Sequence, residues 1–189
     1  MAEKTEKTNG ALKEVLSWLL TIGVPIAIVL LLNAYVGKLV IVQGSSMYPT
    51  LYDSDLLVVQ SIGYTPQCGD IVVCSTAEDG ALGGKYIVKR VIATEGQTVS
   101  IRYEDNTVTV DGTVLTENYI NFTDDDPMTE GTYHDEDYVV PAGCVFVLGD
   151  NRNNSTDSRS TAVGMVRCEM VVGREVLRVP IGAWKAALK

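Results

Sequence analysis

Histidine is almost absent from this chain of 189 residues, which contains only one. That residue, His134, is surrounded by acidic side chains in a stretch that we expect to be a solvated loop. A Ser-His-Asp triad would require this loop to fold over a serine. The chain also has no Cys-x-x-Cys motif, so the usual ligand patterns of a zinc site are missing. These shortages argue against a histidine-dependent hydrolase and against a zinc protein.

Positive charge is scarce as well, with 15 Lys and Arg residues against 24 Asp and Glu residues and a formal net charge of −9. Phosphate binding needs clustered Lys and Arg, so we exclude nucleic acid as a partner. Acidic residues concentrate between 124 and 137, which is typical of a solvated loop, with a calcium site as the alternative. An EF-hand beginning at Asp150 fails, because Arg152 and Ser155 would occupy its third and sixth positions. We expect no metal ion and no cofactor.

One long segment, Val15–Val36, has no charged residue. At about 1.5 Å per residue, a helix of this length spans a hydrocarbon core of roughly 30 Å. We predict an uncleaved transmembrane anchor over residues 15–36. A cleaved secretory signal is an alternative, but the apolar run is longer than a typical signal core and no clean Ala-x-Ala site follows it. A buried core helix is disfavoured, because soluble helices rarely lack a polar face for so long.

Lysines are distributed unevenly around this segment. Those nearest to it are Lys4, Lys7 and Lys13 before it and Lys38 after it. No further Lys or Arg follows until Lys85. By the positive-inside rule, residues 1–14 form a cytoplasmic tail and residues 37–189 an extracytoplasmic domain. The pattern predicts a single-pass protein of the cell membrane, with the lipid bilayer as a partner.

Four cysteines, Cys68, Cys74, Cys144 and Cys168, follow the segment. An oxidising compartment would permit disulfides among them, and free buried thiols are the alternative. Cys68 and Cys74 would lie about 20 Å apart on a straight strand, which is too far for a disulfide. We do not expect these two to pair unless the turn at 67–69 folds back.

Beyond the anchor, the hydrophobic pattern is that of β-strands, because short runs rich in β-branched residues alternate with turn residues. These runs are Leu56–Val59, Ile71–Val73, Tyr86–Ile92, Thr98–Arg102, Thr107–Val110, Val145–Leu148 and Val171–Val179. Asp111-Gly112 predicts a type I′ hairpin, since both residues tolerate positive φ. Trp184–Lys189 could form one terminal helical turn. We predict an all-β domain, barrel-like or sandwich-like.

Three polar stretches interrupt this pattern, and the first is Gln43–Thr50. Ser46 lies there on a predicted turn between Gly44 and Pro49. A serine on a tight turn exposes its Oγ and presents backbone N–H groups, as an oxyanion site requires. The alternative is an ordinary turn, because Ser, Gly and Pro are common turn residues.

The second stretch places Lys89 inside an apolar strand. An edge-strand lysine that prevents aggregation is one interpretation. The other is a desolvated lysine, whose lowered pKa would let it accept a proton from a serine. The third stretch, Gly149–Arg159, is a dense polar loop that follows an apolar strand. Its charged members are Asp150, Arg152, Asp157 and Arg159. Each aspartate could pair with either arginine and so fix the loop.

Together and in this order, the stretches resemble the type I signal peptidases, membrane-bound Ser/Lys proteases, in their compact Gram-positive form. The matching segments are Gly44–Leu51, Gly69–Val73, Tyr86–Ile92 and Gly149–Arg159. Each segment is a weak signal alone, but the combination is highly specific and spreads over most of residues 40–165. The charge-free segment lies where this family has its membrane anchor.

The resemblance implies a role for each matching residue. The serine before methionine, Ser46, is the nucleophile, and the lysine before Arg-Val, Lys89, is the general base. Ser155 matches the serine that orients this lysine. The charged supports of the site are Asp150, Arg152, Asp157 and Arg159, and the substrate and oxyanion region contains Gly44, Ser45 and Met47. Some family members have a serine where this chain has Gly44, so the second oxyanion donor stays open here.

The implied activity is that of a membrane-anchored serine endopeptidase that removes N-terminal signal peptides from secreted preproteins through an acyl-enzyme. Its substrates would have small residues at −3 and −1 and would bind extended against a strand edge, and we expect a monomer. One alternative is an inactive anchored β-domain that binds secreted proteins. Another is a self-cleaving Ser/Lys repressor, which the anchor and the acidic charge disfavour.

Overall fold

The computed structural model describes residues 13–14, 17–27, 38–120, 127–128 and 136–187. Among these residues, no helix is both long and apolar enough to cross a membrane. The described part of the predicted anchor includes a π-helical turn, Leu19–Gly23. The rest of the anchor lies outside the described residues, as do most of the predicted cytoplasmic tail, His134 and most of the acidic loop.

The described chain is mostly β-structure, with eleven short strands. They are β1 (Lys38–Ile41), β2 (Leu56–Gln60), β3 (Ile71–Ser75), β4 (Tyr86–Thr94), β5 (Thr98–Arg102), β6 (Thr107–Val110), β7 (Thr113–Val114), β8 (Glu136–Val139), β9 (Cys144–Leu148), β10 (Val166–Arg167) and β11 (Val171–Val179). Seven strands form one sheet in the order β1-β2-β11-β3-β4-β9-β10, and four form a second in the order β7-β6-β5-β8. All recorded pairs are antiparallel.

The prediction of a β-rich domain is therefore confirmed, while the anchor stays a prediction. Strands β5, β6 and β11 have the predicted bounds. The type I′ hairpin is also confirmed, because Asp111 and Gly112 both have positive φ, 51° and 77°, between paired Val110 and Thr113. The predicted terminal turn is a longer helix, α1 (Ile181–Ala187), which begins directly after Pro180.

Two buried clusters hold the site in place. In the first, the alternating inward residues of β5 and β6 pack against β9; they include Val99, Ile101, Val108, Val110, Phe146 and Leu148. In the second, Met47 and Leu51 pack with residues of β2 and β3. Met47 is 1% exposed, and burying such a side chain contributes about 1.5–3 kcal/mol. The second cluster thus fixes the turn that carries Ser46 to the larger sheet.

Asp55 ties the end of that turn to the C-terminal part of the chain. Its carboxylate is fully buried and accepts hydrogen bonds from the backbone N–H groups of Tyr52 at 2.9 Å and Gly182 at 2.8 Å. The Nε atom of Arg178, in β11, lies 2.8 Å from the same carboxylate. A buried carboxylate is stable only with such partners, so β11 and α1 both support the serine-bearing segment.

Strand β4 lies inside the larger sheet, between β3 and β9. Lys89 itself is buried, so the interpretation of a solvent-facing edge-strand lysine that prevents aggregation is wrong. Arg90 pairs with Leu148, the last residue of β9. The polar loop that begins at Gly149 consequently starts beside Lys89, which explains why two distant stretches of sequence meet.

Candidate active site

The structure brings Ser46 and Lys89 together. The Nζ atom of Lys89 lies 2.8 Å from the Oγ atom of Ser46, within hydrogen-bonding distance. Nζ also donates to the carbonyl oxygen of Val88 at 2.9 Å. Two contacts therefore fix the amine at the serine hydroxyl, in the geometry that proton transfer between the two groups requires.

Lys89 is 3% exposed. Burial lowers the pKa of its amine below the ordinary value of 10.5, because a charged ammonium loses hydration there. Nearby acidic groups act in the opposite direction, with Asp157 the strongest among them. The carboxylate of Asp157 is itself paired with Arg159, and that arginine opposes a charge on Lys89. The net effect favours the neutral amine, which is the form that can accept a proton.

The residues around Ser46 form a turn with defined contacts. Gly44 has φ of +82°, a left-handed conformation that favours glycine, and its N–H donates to Asp53 Oδ1 at 2.8 Å. Ser45 is exposed, and its Oγ accepts a hydrogen bond from Asn154 Nδ2 at 2.9 Å. Met47 points into the core instead, so consecutive side chains face different environments.

Asp150 does not pair with Arg152 or Arg159, the two arginines predicted as its partners. It pairs with Arg90. Its two carboxylate oxygens accept bonds from Arg90 Nε at 2.8 Å and Nη2 at 2.6 Å, and one of them also accepts from Thr50 Oγ1 at 2.5 Å. Bidentate pairs of this kind fix the relative orientation of their two groups. Asp150 thus connects β4 to the end of the serine-bearing turn.

The other three charged residues of the loop make pairs that do not involve Asp150. Asp157 and Arg159 form the expected buried pair, with Nε and Oδ1 2.8 Å apart. Arg152 instead donates to both carboxylate oxygens of Glu117, at 3.1 and 2.5 Å. The expectation that Arg152 pairs with an aspartate of its own loop is wrong, because its side chain reaches the segment after β7.

Ser155 and Ser46 both lie close to Gly149. A Cβ atom built on Gly149 would come within 2.2 Å of Ser155 Oγ and 2.4 Å of the Ser46 carbonyl oxygen. Such distances are far below van der Waals contact. The absence of a side chain at this position therefore lets the loop approach the serine-bearing turn.

Gly149→Ala should accordingly reduce peptidase activity by about 10-fold or more and destabilise the fold by about 1–3 kcal/mol, as overpacking does. Steady-state kinetics and thermal unfolding measure the two effects. Gly112→Ala, in the remote hairpin, is the control, because Gly112 has a positive φ but no atom within 4 Å of an added Cβ. It should cost stability of about 1 kcal/mol without lowering activity per folded molecule. Equal activity losses in the two variants would contradict this account of Gly149.

A groove leads to Ser46 and Lys89. One wall is the segment from Val40 to Gln43, and the other is the start of β4, from Tyr86 to Val88. Strand β4 pairs with β9 only from Arg90 onward, and β1 is recorded as pairing only with β2, so both walls present free strand edges among the described residues. Free edges can pair with an added extended peptide.

Sequence reasoning missed several residues that shape this site. Arg90 directly follows Lys89 in a segment already singled out, so its position was a usable signal. Glu117 and Tyr119 were not identifiable, because they lie in an irregular segment without a pattern. Tyr119 donates to Glu117 at 2.8 Å, and the Arg90 guanidinium lies 3.8 Å from the centre of its ring. These contacts link the Arg90–Asp150 and Arg152–Glu117 ion pairs into one network.

Among the described residues, neither a disulfide nor a metal-binding cluster supports this site. The four cysteines are all within the described residues, and all are free. Burial raises the pKa of the Cys74 thiol to about 12, so this residue stays protonated beside the site. In the described part of the chain, no group of three or more His, Cys, Asp or Glu residues is placed to hold a metal ion.

Known proteins are similar in sequence to this chain over most of its length. Residues 15–180 match the family described as signal peptidase, peptidase S26. The chain is 36% identical over 169 residues to the probable signal peptidase I-1 of Synechocystis sp., covering 85% of this chain and 81% of the relative. It is 34% identical over 179 residues to signal peptidase I T of Bacillus subtilis, covering 90% and 87%.

A signal peptidase I structure from Enterococcus faecalis matches with 31% identity and a TM-score of 0.48, covering 59% of this chain and 97% of that one. The family match spans well over half of the chain, and the two curated relatives exceed 30% identity along most of their lengths. The chain belongs to the signal peptidase family, peptidase S26, and is a serine peptidase.

Proposed function

We propose that this protein removes N-terminal signal peptides from secreted preproteins, with Ser46 as the nucleophile and Lys89 as the general base. Family membership supports the substrate class. The observation that carries the residue assignment is the 2.8 Å distance between Lys89 Nζ and Ser46 Oγ in a buried setting that lowers the lysine pKa.

The reaction begins with neutral Lys89. Its Nζ lone pair takes the Ser46 hydroxyl proton while Oγ bonds to the scissile carbonyl carbon and the carbonyl electrons move to oxygen. When the tetrahedral intermediate collapses, the C–N bond breaks and the leaving amine takes the proton from Nζ. An ester on Ser46 remains as the acyl-enzyme. Water then loses a proton to Nζ, attacks the ester and releases the signal peptide, and Oγ recovers the proton.

The surrounding residues support these steps. Ser155, whose Oγ lies next to Gly149, is the residue to which we assign the orientation of the Lys89 amine. Asp157 and Arg159 hold the loop that carries Ser155, while Asp150 and Arg152 connect that loop to neighbouring segments. Because each of these charges is paired, the site gains rigidity without a net charge that would force Lys89 into its protonated form.

The groove accommodates the substrate as an added strand. Backbone groups of an extended peptide can pair with the free edges at Val40–Gln43 and Tyr86–Val88. Alternate side chains of such a peptide point into the groove. Met47 and its apolar neighbours form a shallow floor beside Ser46, which suits small residues at −3 and −1.

The protein acts at the cell membrane as a monomer, held by the predicted single anchor at 15–36. The uncharged composition of that segment supports this proposal, and the uneven lysine distribution orients the catalytic domain outside. An anchor keeps the groove near the point where preproteins leave the membrane, which raises the effective concentration of substrate.

Deleting residues 1–36 should therefore have different effects on the cleavage of soluble peptides and on the processing of membrane-inserted preproteins. Cleavage of short soluble peptides should stay within a few-fold of the full chain, whereas processing of preproteins inserted in vesicles should fall by about 10²-fold, the scale of an effective-concentration advantage. Side-by-side rates with both substrates measure this. Unimpaired processing of inserted preproteins would show that tethering contributes nothing.

The function itself is tested by incubating the purified full chain in detergent with a preprotein and sequencing the new N-terminus. A single cut after a small residue at the end of the signal peptide is expected. Binding of the preprotein without any cut would favour the alternative of an inactive β-domain. The same preprotein with bulky residues at −3 and −1 is the matched control and should remain intact.

A further inference from the structure

Asn151 contacts two consecutive carbonyl groups of the serine-bearing turn. Its side-chain Nδ2 donates to the Ser45 carbonyl oxygen at 3.1 Å, and its backbone N–H donates to the Ser46 carbonyl oxygen at 3.0 Å. Asn151 is 8% exposed, so these bonds are largely shielded from water. Asn151, a residue of the polar loop, thus holds the two carbonyl groups that flank the N–H and Cα of Ser46.

The Ser45 carbonyl also accepts from the backbone N–H of Tyr48 at 3.0 Å, and together these two bonds set where the Ser46 N–H points. The carbonyl of Ser45 and the N–H of Ser46 belong to one planar peptide group, and that group is trans. In a trans peptide, the two bonds point in opposite directions. With the carbonyl held toward Asn151, the N–H is directed away from the polar loop. Among the described residues, no acceptor receives a hydrogen bond from this N–H, so it is available to a substrate.

We propose that Asn151 is a positioning residue for the oxyanion donor, an inference that rests on the proposed function of Ser46. Its amide, together with the Tyr48 N–H, holds the Ser45–Ser46 peptide plane and aims the Ser46 N–H at the oxygen that becomes negatively charged during attack. This matters in a chain that has Gly44 at the position where some family members have a serine. Without a hydroxyl there, the alignment of the backbone donor carries more of the stabilisation.

The test measures Asn151→Ala and Asn151→Asp, the second being isosteric but unable to donate when ionised. Removing an oxyanion donor costs about 10²–10³-fold in kcat. Misaligning a donor should cost less, so we expect kcat for a peptide substrate to fall by about 10- to 100-fold, with KM within about twofold. Asn153→Ala is the control from the same turn, because its amide donates to the Pro127 carbonyl oxygen at 3.0 Å; it should retain wild-type kcat.

Two inhibitors distinguish misalignment of the Ser46 N–H from a general loss of structure in the Asn151 variants. A peptide aldehyde is attacked by Ser46, forming a C–O bond while its carbonyl oxygen becomes an oxyanion, and the hydroxyl proton passes to Lys89. The matching peptide alcohol has no carbonyl and binds only as a ground state. In the Asn151 variants, aldehyde affinity should fall by the same factor as kcat, while alcohol affinity should stay unchanged. A merely structural role would weaken both inhibitors or lower the melting temperature in proportion.

Each result is decisive. Unchanged kcat and aldehyde affinity, or equal losses for aldehyde and alcohol, would overturn the inference; if Asn151→Ala does not fold, the comparison is made on Asn151→Asp. Ser46→Ala distinguishes this failure from that of the proposed function. If Ser46→Ala binds the aldehyde as tightly as wild type, the nucleophile is wrong. If it loses aldehyde binding while the Asn151 variants keep it, only the positioning role is wrong.

Discussion

Replacing Ser46 by alanine will abolish preprotein cleavage while leaving the fold intact. The variant removes the hydroxyl that lies 2.8 Å from Lys89 Nζ, so no acyl-enzyme can form on this residue. Losing a serine nucleophile costs on the order of 10⁴- to 10⁶-fold in kcat. Quantitative cleavage of a preprotein, with circular dichroism to verify folding, measures the effect.

Ser45→Ala is the matched control for this result. The Ser45 hydroxyl accepts a bond from Asn154 and has no recorded contact with Lys89. Its removal should leave at least about one tenth of the wild-type rate, since a surface hydrogen bond contributes only about 1 kcal/mol. An inactive Ser45→Ala together with an active Ser46→Ala would reverse the assignment.

Replacing Lys89 by arginine or methionine will also abolish cleavage. Guanidinium stays charged at every accessible pH and cannot accept the serine proton, and methionine has no base at all. We expect losses on the order of 10⁴-fold or more, comparable to loss of the nucleophile, because the two groups act as a unit. A folded Lys89 variant that cleaves a preprotein at near wild-type rate would eliminate the Ser/Lys mechanism.

The pH dependence of the wild-type enzyme should report the same lysine. Activity should rise with pH as Lys89 loses its proton, and the apparent pKa of this acidic limb should lie below 10.5, because burial favours the neutral amine. Substrate in the groove removes more water from the amine. The acidic limb of the pH profile of kcat should therefore have a lower apparent pKa than the acidic limb of the kcat/KM profile.

Stability should change with pH over the corresponding window. Because burial lowers the folded-state pKa of Lys89, the unfolded chain binds more protons between that pKa and the ordinary value of 10.5. The free energy of unfolding contributed by Lys89 therefore rises with pH across this window. Below the folded-state pKa, the destabilisation caused by burying the charged Lys89 no longer changes with pH. Relative to Lys89→Met, the wild type should gain stability as pH increases, and chemical denaturation at a series of pH values measures this.

The strands were predictable because their signal is local. Alternation of β-branched residues indicated β5 and β6 with their bounds, and Asp111-Gly112 indicated the hairpin between β6 and β7. Strand β8 was missed because Glu136 and Asp137 place it at the end of an acidic stretch. Strand β10 has only two residues, which is too short for any period to show.

The site was predictable only as far as its residues lie in recognisable segments. Sequence reasoning selected Ser46 and Lys89, and the structure places them in contact. It did not assign Arg90 to Asp150 or Glu117 to Arg152, because those pairs join residues separated by 60 and 35 positions. Such pairings depend on strand register and loop direction, neither of which a local pattern encodes.

The most direct test of the central claim is to locate the covalent intermediate. The enzyme is mixed with a peptide ester or preprotein, quenched in acid during turnover, digested and analysed by mass spectrometry. A Ser46/Lys89 mechanism predicts one acyl group, attached to Ser46, which is absent from Ser46→Ala and does not accumulate in Lys89→Met. An adduct on Ser45 or on a cysteine, or turnover without any serine adduct, would contradict it.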